Sequence, residues 1–537
     1  MAAGIVALVV ATPILVVVSS MATPSVDIWR HLWQTSLAEL MWNTLRLIVG
    51  VGLSVTVVGT GLAWLVTMYR FPGRALFEWL LILPLAMPTY VIGFVFLALF
   101  DFTGPFQSGL RRLFGTRVWF PDIASYGGVV LVMTLVLYPY VYMLARVAFL
   151  EQSETTLEAA RILGVRRITV FWKVILPLAR PSIVVGVTLA LMEALADFGT
   201  VAIFNYSTFT VAIYRVWFGL FDRSAATELA GVLLLFTLLL YGLERGQRGR
   251  ARFYQTAGGV RSVMPQQLTG WRAWLASATA GVVVGIAFVL PVTQLLLWTI
   301  TATGGLDYDA RYATFLRNTL TLAAITATVA VAAAVVVAYG ARVSRSYVVV
   351  LFGRIASMGY ALPGSVIAVG VLVPLAFFDH TLDGFFRATW GYSTGLLLTG
   401  SMIGLIFAYV VRFLALSYQT VEASLGKITP SMDMAARSLG ATPGRLVRRI
   451  HLPLIRTGLT SAAILVFVDV MKEMPATLLL RPFGYETLAI RVWQLTSESL
   501  WELAALPALT IVGAGIVPVL VLTRSSMRLP RNRGLTA

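Results

Sequence analysis

Residues 158–177 read EAARILGVRRITVFWKVILP, and residues 434–453 read MAARSLGATPGRLVRRIHLP. Both run x-Ala-Ala, three residues, Gly, nine residues, Val or Ile, one residue, Leu-Pro, and the copies start 276 residues apart (434 − 158). They are also the longest polar, arginine-bearing interruptions of an otherwise apolar chain. Small residues at one end, a Gly break and a Leu-Pro stop predict a short docking helix at each place, not a membrane span.

These residues resemble the EAA loop of binding-protein-dependent ABC import permeases, the cytoplasmic coupling helix that fits a groove on the ATPase subunit. Glu158, Ala159, Ala160, Gly164 and Leu176-Pro177 match that pattern, as do Ala435, Ala436, Gly440 and Leu452-Pro453. Met434 departs from it, standing where the family usually has Glu, with Asp433 beside it. The resemblance implies that both loops couple to an ATPase, so two loops imply two ATPase subunits. ATP and Mg2+ then belong to those partners, and this chain binds no cofactor of its own.

Composition points to the membrane independently. The 537 residues are 58% hydrophobic and 12% charged, with a mean hydropathy of +0.84. A soluble chain carries roughly twice that charged fraction. Many apolar runs reach the ~20 residues a helix needs to cross the hydrocarbon core. With no cysteine, disulfides, thiolate metal sites and Cys nucleophiles are excluded. The three histidines, His31, His380 and His451, are too far apart in sequence to suggest an imidazole metal cluster. The net charge of +17 is scattered between apolar spans, which argues for positive-inside topology rather than nucleic-acid binding. Gly4 to Val18 looks like a secretory signal, but it lacks the basic n-region and is expected to be a retained first span.

An all-α polytopic membrane protein with about 12 transmembrane helices is therefore expected. The spans fall near 4–20, 44–68, 76–100, 126–149, 181–204 and 227–243 in one half. In the other they fall near 273–299, 317–341, 349–377, 393–418, 456–480 and 502–523. Placing both termini in the cytoplasm puts roughly 25 basic residues inside and about a dozen outside. It also places both EAA loops, the Tyr69–Arg74 turn, Arg342, Arg345 and the Arg524–Arg533 tail inside. The Gly- and Arg-rich stretch 246–272 reads as a cytoplasmic linker between a first permease domain, 1–245, and a second, 273–537.

The halves are internal repeats. Asn43-Thr44-Leu45 matches Asn318-Thr319-Leu320, and AMPTYVIG at 86–93 matches ALPGSVIA at 361–368. TVAIYRVW at 210–217 matches TLAIRVW at 487–493 with one residue missing. Six spans separate equivalent points, so the two six-helix repeats run parallel, unlike the five-helix inverted repeats of secondary transporters. With the EAA resemblance, this implies a fused type I ABC importer permease fold. Pro88 and Pro363 sit at equivalent places and are expected to kink their spans.

The span after each EAA loop carries two acids, Glu193 and Asp197 in one half, Asp469 and Glu473 in the other. At i, i+4 each pair would share a helical face, and the pseudo-twofold axis would bring all four together. One mid-membrane acid costs about 3 kcal/mol, and four cost on the order of 10. Such groups are expected to face a cation pathway and to meet a metal ion transiently, since carboxylate oxygens suit hard cations. A structural reading competes: Lys472 could neutralise one acid, and the pairs could serve as helix-end polar groups. Arg481 and Arg491, just beyond, are expected to contact a partner, an acid or solvent. The sequence contains no G-x-x-x-x-G-K-[ST]; Gly426-Lys427 is followed by Ile428. The chain therefore lacks that phosphate cradle, and no enzymatic activity of its own is expected.

Residues 195–231 and 472–498 resemble the ferric-iron import permeases in particular. That resemblance implies Fe3+ as the transported substrate and a periplasmic ferric-binding protein at the outer face. It also implies a bacterial inner-membrane location in a lipid bilayer, with no nucleic-acid partner. The same machine for thiamine or a polyamine is the nearest alternative. A channel or secondary carrier that needs no ATPase is the alternative of another class.

Overall fold

The computed structural model describes residues 2–22, 26–150, 167–250, 265–304, 311–344, 351, 353, 358–359, 362–426 and 428–526. Glu158, Ala159, Ala160 and Gly164 lie outside them. Among the described residues, 12 helices are long and apolar enough to cross a membrane. They fall in the order the two repeats require, six before residue 251 and six after residue 270. The helix Arg223–Arg250 runs five residues past the expected domain boundary at 245. On the other side, Gln266–Gln267 pairs in parallel with Tyr69–Arg70 of the first half.

Each half is built on the same packed triad. In the first, the helices Leu37–Met68, Tyr126–Leu150 and Leu176–Ala196 pack on one another. In the second, Tyr312–Ser344, Met402–Leu425 and Leu452–Lys472 do the same. Small residues hold these helices close, as expected where lipid supplies no hydrophobic drive. Gly59 and Gly186 press on the backbone of residues 138–142. Their equivalents Ala334 and Ala462 are fully buried.

The halves also interlock. The first helix, Ala2–Ala22, leans on Gly364–Trp390 of the other half, and Leu290–Gly304 leans reciprocally on Thr89–Phe100. Phe94 stacks on Trp298 and Trp501, at 6.3 and 6.2 Å between ring centroids.

Three sequence expectations are corrected by the backbone. Pro88 and Pro363 do not kink spans. Each has an extended ψ, 143° and 141°, and caps the start of a helix, Thr89–Phe100 and Gly364–Trp390. A residue without an N–H and with fixed φ fits a helix start, where the N–H has no partner to lose. The chain before Pro88 is broken into the short helix Arg74–Leu80 and a 3-10 turn at Leu83–Ala86.

Nor does Leu-Pro stop a helix. Pro177, Pro291 and Pro453 all lie inside continuous helices. Each is preceded by one π-helical turn ending two residues earlier, at Phe171–Ile175, Gly285–Val289 and Val447–His451. The proline ring crowds the carbonyl four residues back, and the wider turn moves that carbonyl aside. The arginine-bearing end of the second loop, from Pro443 on, and the following span thereby form one rod.

Finally, the four acids do not sit on two uninterrupted helical faces. The helices end at Ala196 and Lys472, so Asp197 and Glu473 occupy their C-caps, with ψ of 130° and 123°. New short helices begin at Gly199 and Pro475. Pro475 disfavours helical backbone before it and then starts the next helix itself.

Candidate translocation site and docking loop

The two helix breaks meet across the pseudo-twofold axis. They frame a cavity of about 100 Å3 lined by Glu193, Asp197, Asp469 and Glu473, together with Arg412 and Lys472. Irregular backbone at this depth is stable only where protein or a water-lined cavity satisfies it, and discontinuous helices commonly frame transport sites for this reason.

Each carboxylate is held differently. Asp197 accepts from the hydroxyls of Thr89 and Thr200 and from the backbone N–H of Thr200 and Val201, the last three at 3.0, 2.8 and 3.4 Å. It thus caps the short helix Gly199–Ile203. Glu473 caps Pro475–Leu480 through the N–H of Ala476 at 3.0 Å, and its other oxygen is 3.2 Å from Arg412 Nη1. Asp469 pairs with Lys472 at 2.9 Å. Glu193 stands on the cavity wall, part-exposed. The structural reading is therefore right about Lys472, yet all four acids do line one cavity. Among the described residues no group of three or more His, Asp, Glu or Cys is arranged to hold a metal ion.

The repeat is not symmetrical at this point. At the offset of 275–276 residues that superposes the halves, Thr89 corresponds to Gly364, Val136 to Arg412, Ala196 to Lys472 and Thr200 to Ala476. In the first half two hydroxyls hold an aspartate. In the second a guanidinium holds a glutamate, and Gly364 leaves the room for it. A Cβ built on Gly364 would overlap both Arg412 Nη1 and Glu473 Oε1. The site therefore carries four acids and two bases, and both bases come from the second half.

Arg412 was missed by reasoning that began from the acids. Its signal is plain in the sequence, a single Arg in the apolar run AYVVRFLALSY at 408–418, where a charge is functional by default. Of the two arginines beyond the site, Arg481 lies 3.7 Å from Glu486. Arg491 lies near Gln494 and over the Phe315 ring.

The second docking loop is described almost throughout. The helix Pro430–Ser438 carries Ala435, exposed, and Ala436, buried. Gly440 takes a left-handed φ of 78°. The N–H of Ala441 then reaches back to the Ala436 carbonyl at 3.0 Å, closing the helix in a Schellman turn. Met434 and Leu439 are 65% and 87% exposed, apolar side chains that the described residues leave uncovered. Asp433 does not join that face. It turns inward to Arg342 at 2.9 Å and to His451 Nε2 at 2.8 Å, which ties the loop to two membrane helices.

Burial opposes ionisation of Asp433, but the hydrogen bonds from His451 and Arg342 outweigh it and hold the carboxyl below its usual range. A lowered folded value means this tie is complete above the unfolded value of about 3.9 and fades as pH falls through the folded one. Asp433→Asn should weaken the loop by about 2 kcal/mol at neutral pH, the scale of a charge-assisted hydrogen bond. Amide exchange across 430–441 should then be faster than in the wild type at pH 7, with the difference shrinking only as pH falls below the ordinary carboxylate range and through the lowered folded value.

A polytopic chain of two parallel six-helix repeats, each with a span that ends at a central polar cavity, is a permease. Residues 56–248 match the family "Binding-protein-dependent transport system inner membrane component". The chain is 30% identical over 502 residues to the Fe(3+)-transport system permease protein FbpB 2 of Haemophilus influenzae, covering 93% of this chain and 92% of that one. It is 24% identical over 472 residues to the ferric transport system permease protein FbpB of Actinobacillus pleuropneumoniae, 84% of this chain and 66% of the relative. Over 189 residues it is 33% identical to the sulfate transport system permease protein CysT of Salmonella typhimurium, 34% of this chain and 66% of that one. The chain belongs to the binding-protein-dependent ABC permease family and is a multi-pass membrane protein.

Proposed function

We propose that this chain is the permease subunit of an ATP-driven importer that moves ferric iron from the periplasm across the inner membrane. The observation that carries the reading is likeness along 93% of the chain to a fused permease named for Fe(3+) transport. The sulfate permease, by contrast, matches only one third of it. An oxygen-rich cavity with an excess of acids suits a hard cation and disfavours an oxyanion.

Two ATPase subunits, which bind the ATP and Mg2+, dock at the loops 158–177 and 434–453. A periplasmic ferric-binding protein docks at the opposite face, and both termini lie in the cytoplasm. Glu158, Ala159, Ala160, Gly164 and Pro177, with Ala435, Ala436, Gly440 and Pro453, transmit the ATPase motion. Glu193, Asp197, Asp469 and Glu473 meet the ion only in passage. The mechanical link is the continuous span Gly444–Lys472, 29 residues long. At 1.5 Å per residue it is a lever of about 43 Å between docking loop and cavity. When the ATPases close, the levers draw together at the cytoplasmic side and part at the helix breaks, which opens the cavity outward. Hydrolysis reverses the motion.

The test is labelled ferric uptake into proteoliposomes containing this chain, its ATPase and its binding protein. A variant with Glu193→Gln, Asp197→Asn, Asp469→Asn and Glu473→Gln is run beside it. Uptake is expected to require ATP and to be lost in the variant while the complex still assembles. Equal uptake in both would remove the acids from the pathway. Transport of thiamine or a polyamine in place of iron would overturn the substrate, and uptake without the ATPase would overturn the importer.

A further inference from the structure

Four acids at a membrane centre pose a problem that the transport cycle does not solve. A cavity lined by one sign of charge concentrates small counter-ions by a factor of about 10 to 1000. Sodium, potassium and protons vastly outnumber any metal cargo, so an open acidic path would be a leak. The second half supplies what the first lacks. Arg412 stands 3.2 Å from Glu473, and Lys472 stands 2.9 Å from Asp469. Their first-half counterparts, Val136 and Ala196, carry no charge.

Two further features suit this role. The Arg412–Glu473 pair is built in and not incidental, because it occupies the volume that Gly364 leaves open, where Thr89 stands in the other half. Lys472 is placed differently, one turn from Asp469 on the last turn of the same span, so the pair travels together and only rotation of the lysine side chain parts it. Its side chain also keeps 34% exposure, enough freedom to swing off Asp469.

We infer that Arg412 and Lys472 are resident counter-cations, which occupy Glu473 and Asp469 between transport events and seal the cavity against monovalent cations. When the ion arrives, the Lys472 side chain swings off Asp469, and the ion replaces it. This inference rests on the cavity being the translocation path, as proposed above, but not on the identity of the ion. It makes the pathway lopsided. Asp197, pinned by two hydroxyls and two N–H groups, is a fixed ligand, whereas Asp469 changes partner during the cycle.

The experiment is rubidium efflux from proteoliposomes containing the permease with its ATPase, without ATP, binding protein or iron. Arg412→Met and Lys472→Met each bare a carboxylate and are expected to raise the leak about tenfold or more. The pair variants Arg412→Met/Glu473→Gln and Lys472→Met/Asp469→Asn remove both charges and are expected to be as tight as the wild type. Size-exclusion elution with the ATPase identifies assembled complexes. Lys472→Met, at a part-exposed position, keeps the test decisive should the buried Arg412 variant fail to assemble. A Lys472→Met complex no leakier than the wild type overturns the inference, and so does a pair variant as leaky as its single. If ferric uptake fails but the leak pattern holds, the substrate is wrong and the seal stands. If uptake succeeds and no variant leaks, the seal is wrong and the importer stands.

Discussion

Gly364→Thr is expected to abolish ferric uptake and to destabilise the permease by about 3–5 kcal/mol, the cost of separating a buried ion pair. A Cβ at this position overlaps both Arg412 Nη1 and Glu473 Oε1 and lies 3.2 Å from the backbone N of Ala476, so the pair can make room only by swinging into the cavity and giving up its present geometry. The substitution is otherwise mild, since threonine is the residue at the equivalent position 89 of the first half. That equivalence supplies the control. Combining Gly364→Thr with Arg412→Val, Glu473→Asp and Ala476→Thr rebuilds the first-half set of Thr89, Val136, Asp197 and Thr200. Thermal unfolding in detergent should show a large loss for the single variant and recovery of most of it in the fourfold one. If the single variant melts like the wild type, Gly364 is not reserved for the ion pair. If the fourfold variant is no better than the single, the halves do not share one cradle.

The repeat and the spans were legible because both are long-range, one-dimensional patterns. Two copies of a loop at fixed spacing, and twelve runs of apolar residues, need no knowledge of contacts. Interruptions inside the runs were not legible. A proline carried inside a continuous helix, one that starts a helix and one behind a π turn look alike in an apolar background. Pro139, Pro88 and Pro177 take these three fates. Equal spacing of the acids likewise suggested a common helical face. Both helices end at the acid, with Gly199 standing in the first half where Pro475 stands in the second, and the partner of Glu473, Arg412, lies on another helix altogether. Asp433 carried the same lesson at the docking loop. The sequence places it beside Met434 on the docking loop, and its two partners, Arg342 and His451, come from separate spans and draw it inward.

Gly440→Val should uncouple the machine without unfolding it. Gly440 has a φ of 78° and no atom within 4 Å of where its Cβ would be, so the change meets no steric wall and acts through the backbone alone. A left-handed β-branched residue costs at least about 1–2 kcal/mol, enough to favour a different turn by roughly tenfold. The Schellman closure would then be lost, and with it the presentation of Met434 on the helix Pro430–Ser438 and of Leu439 just after it. Because the loop lies beyond the spans and Asp433 still anchors its other end, the thermal midpoint should hardly move. ATP-driven uptake should fall about tenfold or more while ATP hydrolysis by the assembled complex persists. Gly440→Asn is the companion, since asparagine tolerates the left-handed region, and it should retain most of the uptake. Normal uptake by Gly440→Val would mean that the ATPase does not read the shape of this turn. Equal loss in the valine and asparagine variants would trace the effect to a contact made by the glycine itself, because a backbone requirement must distinguish the two.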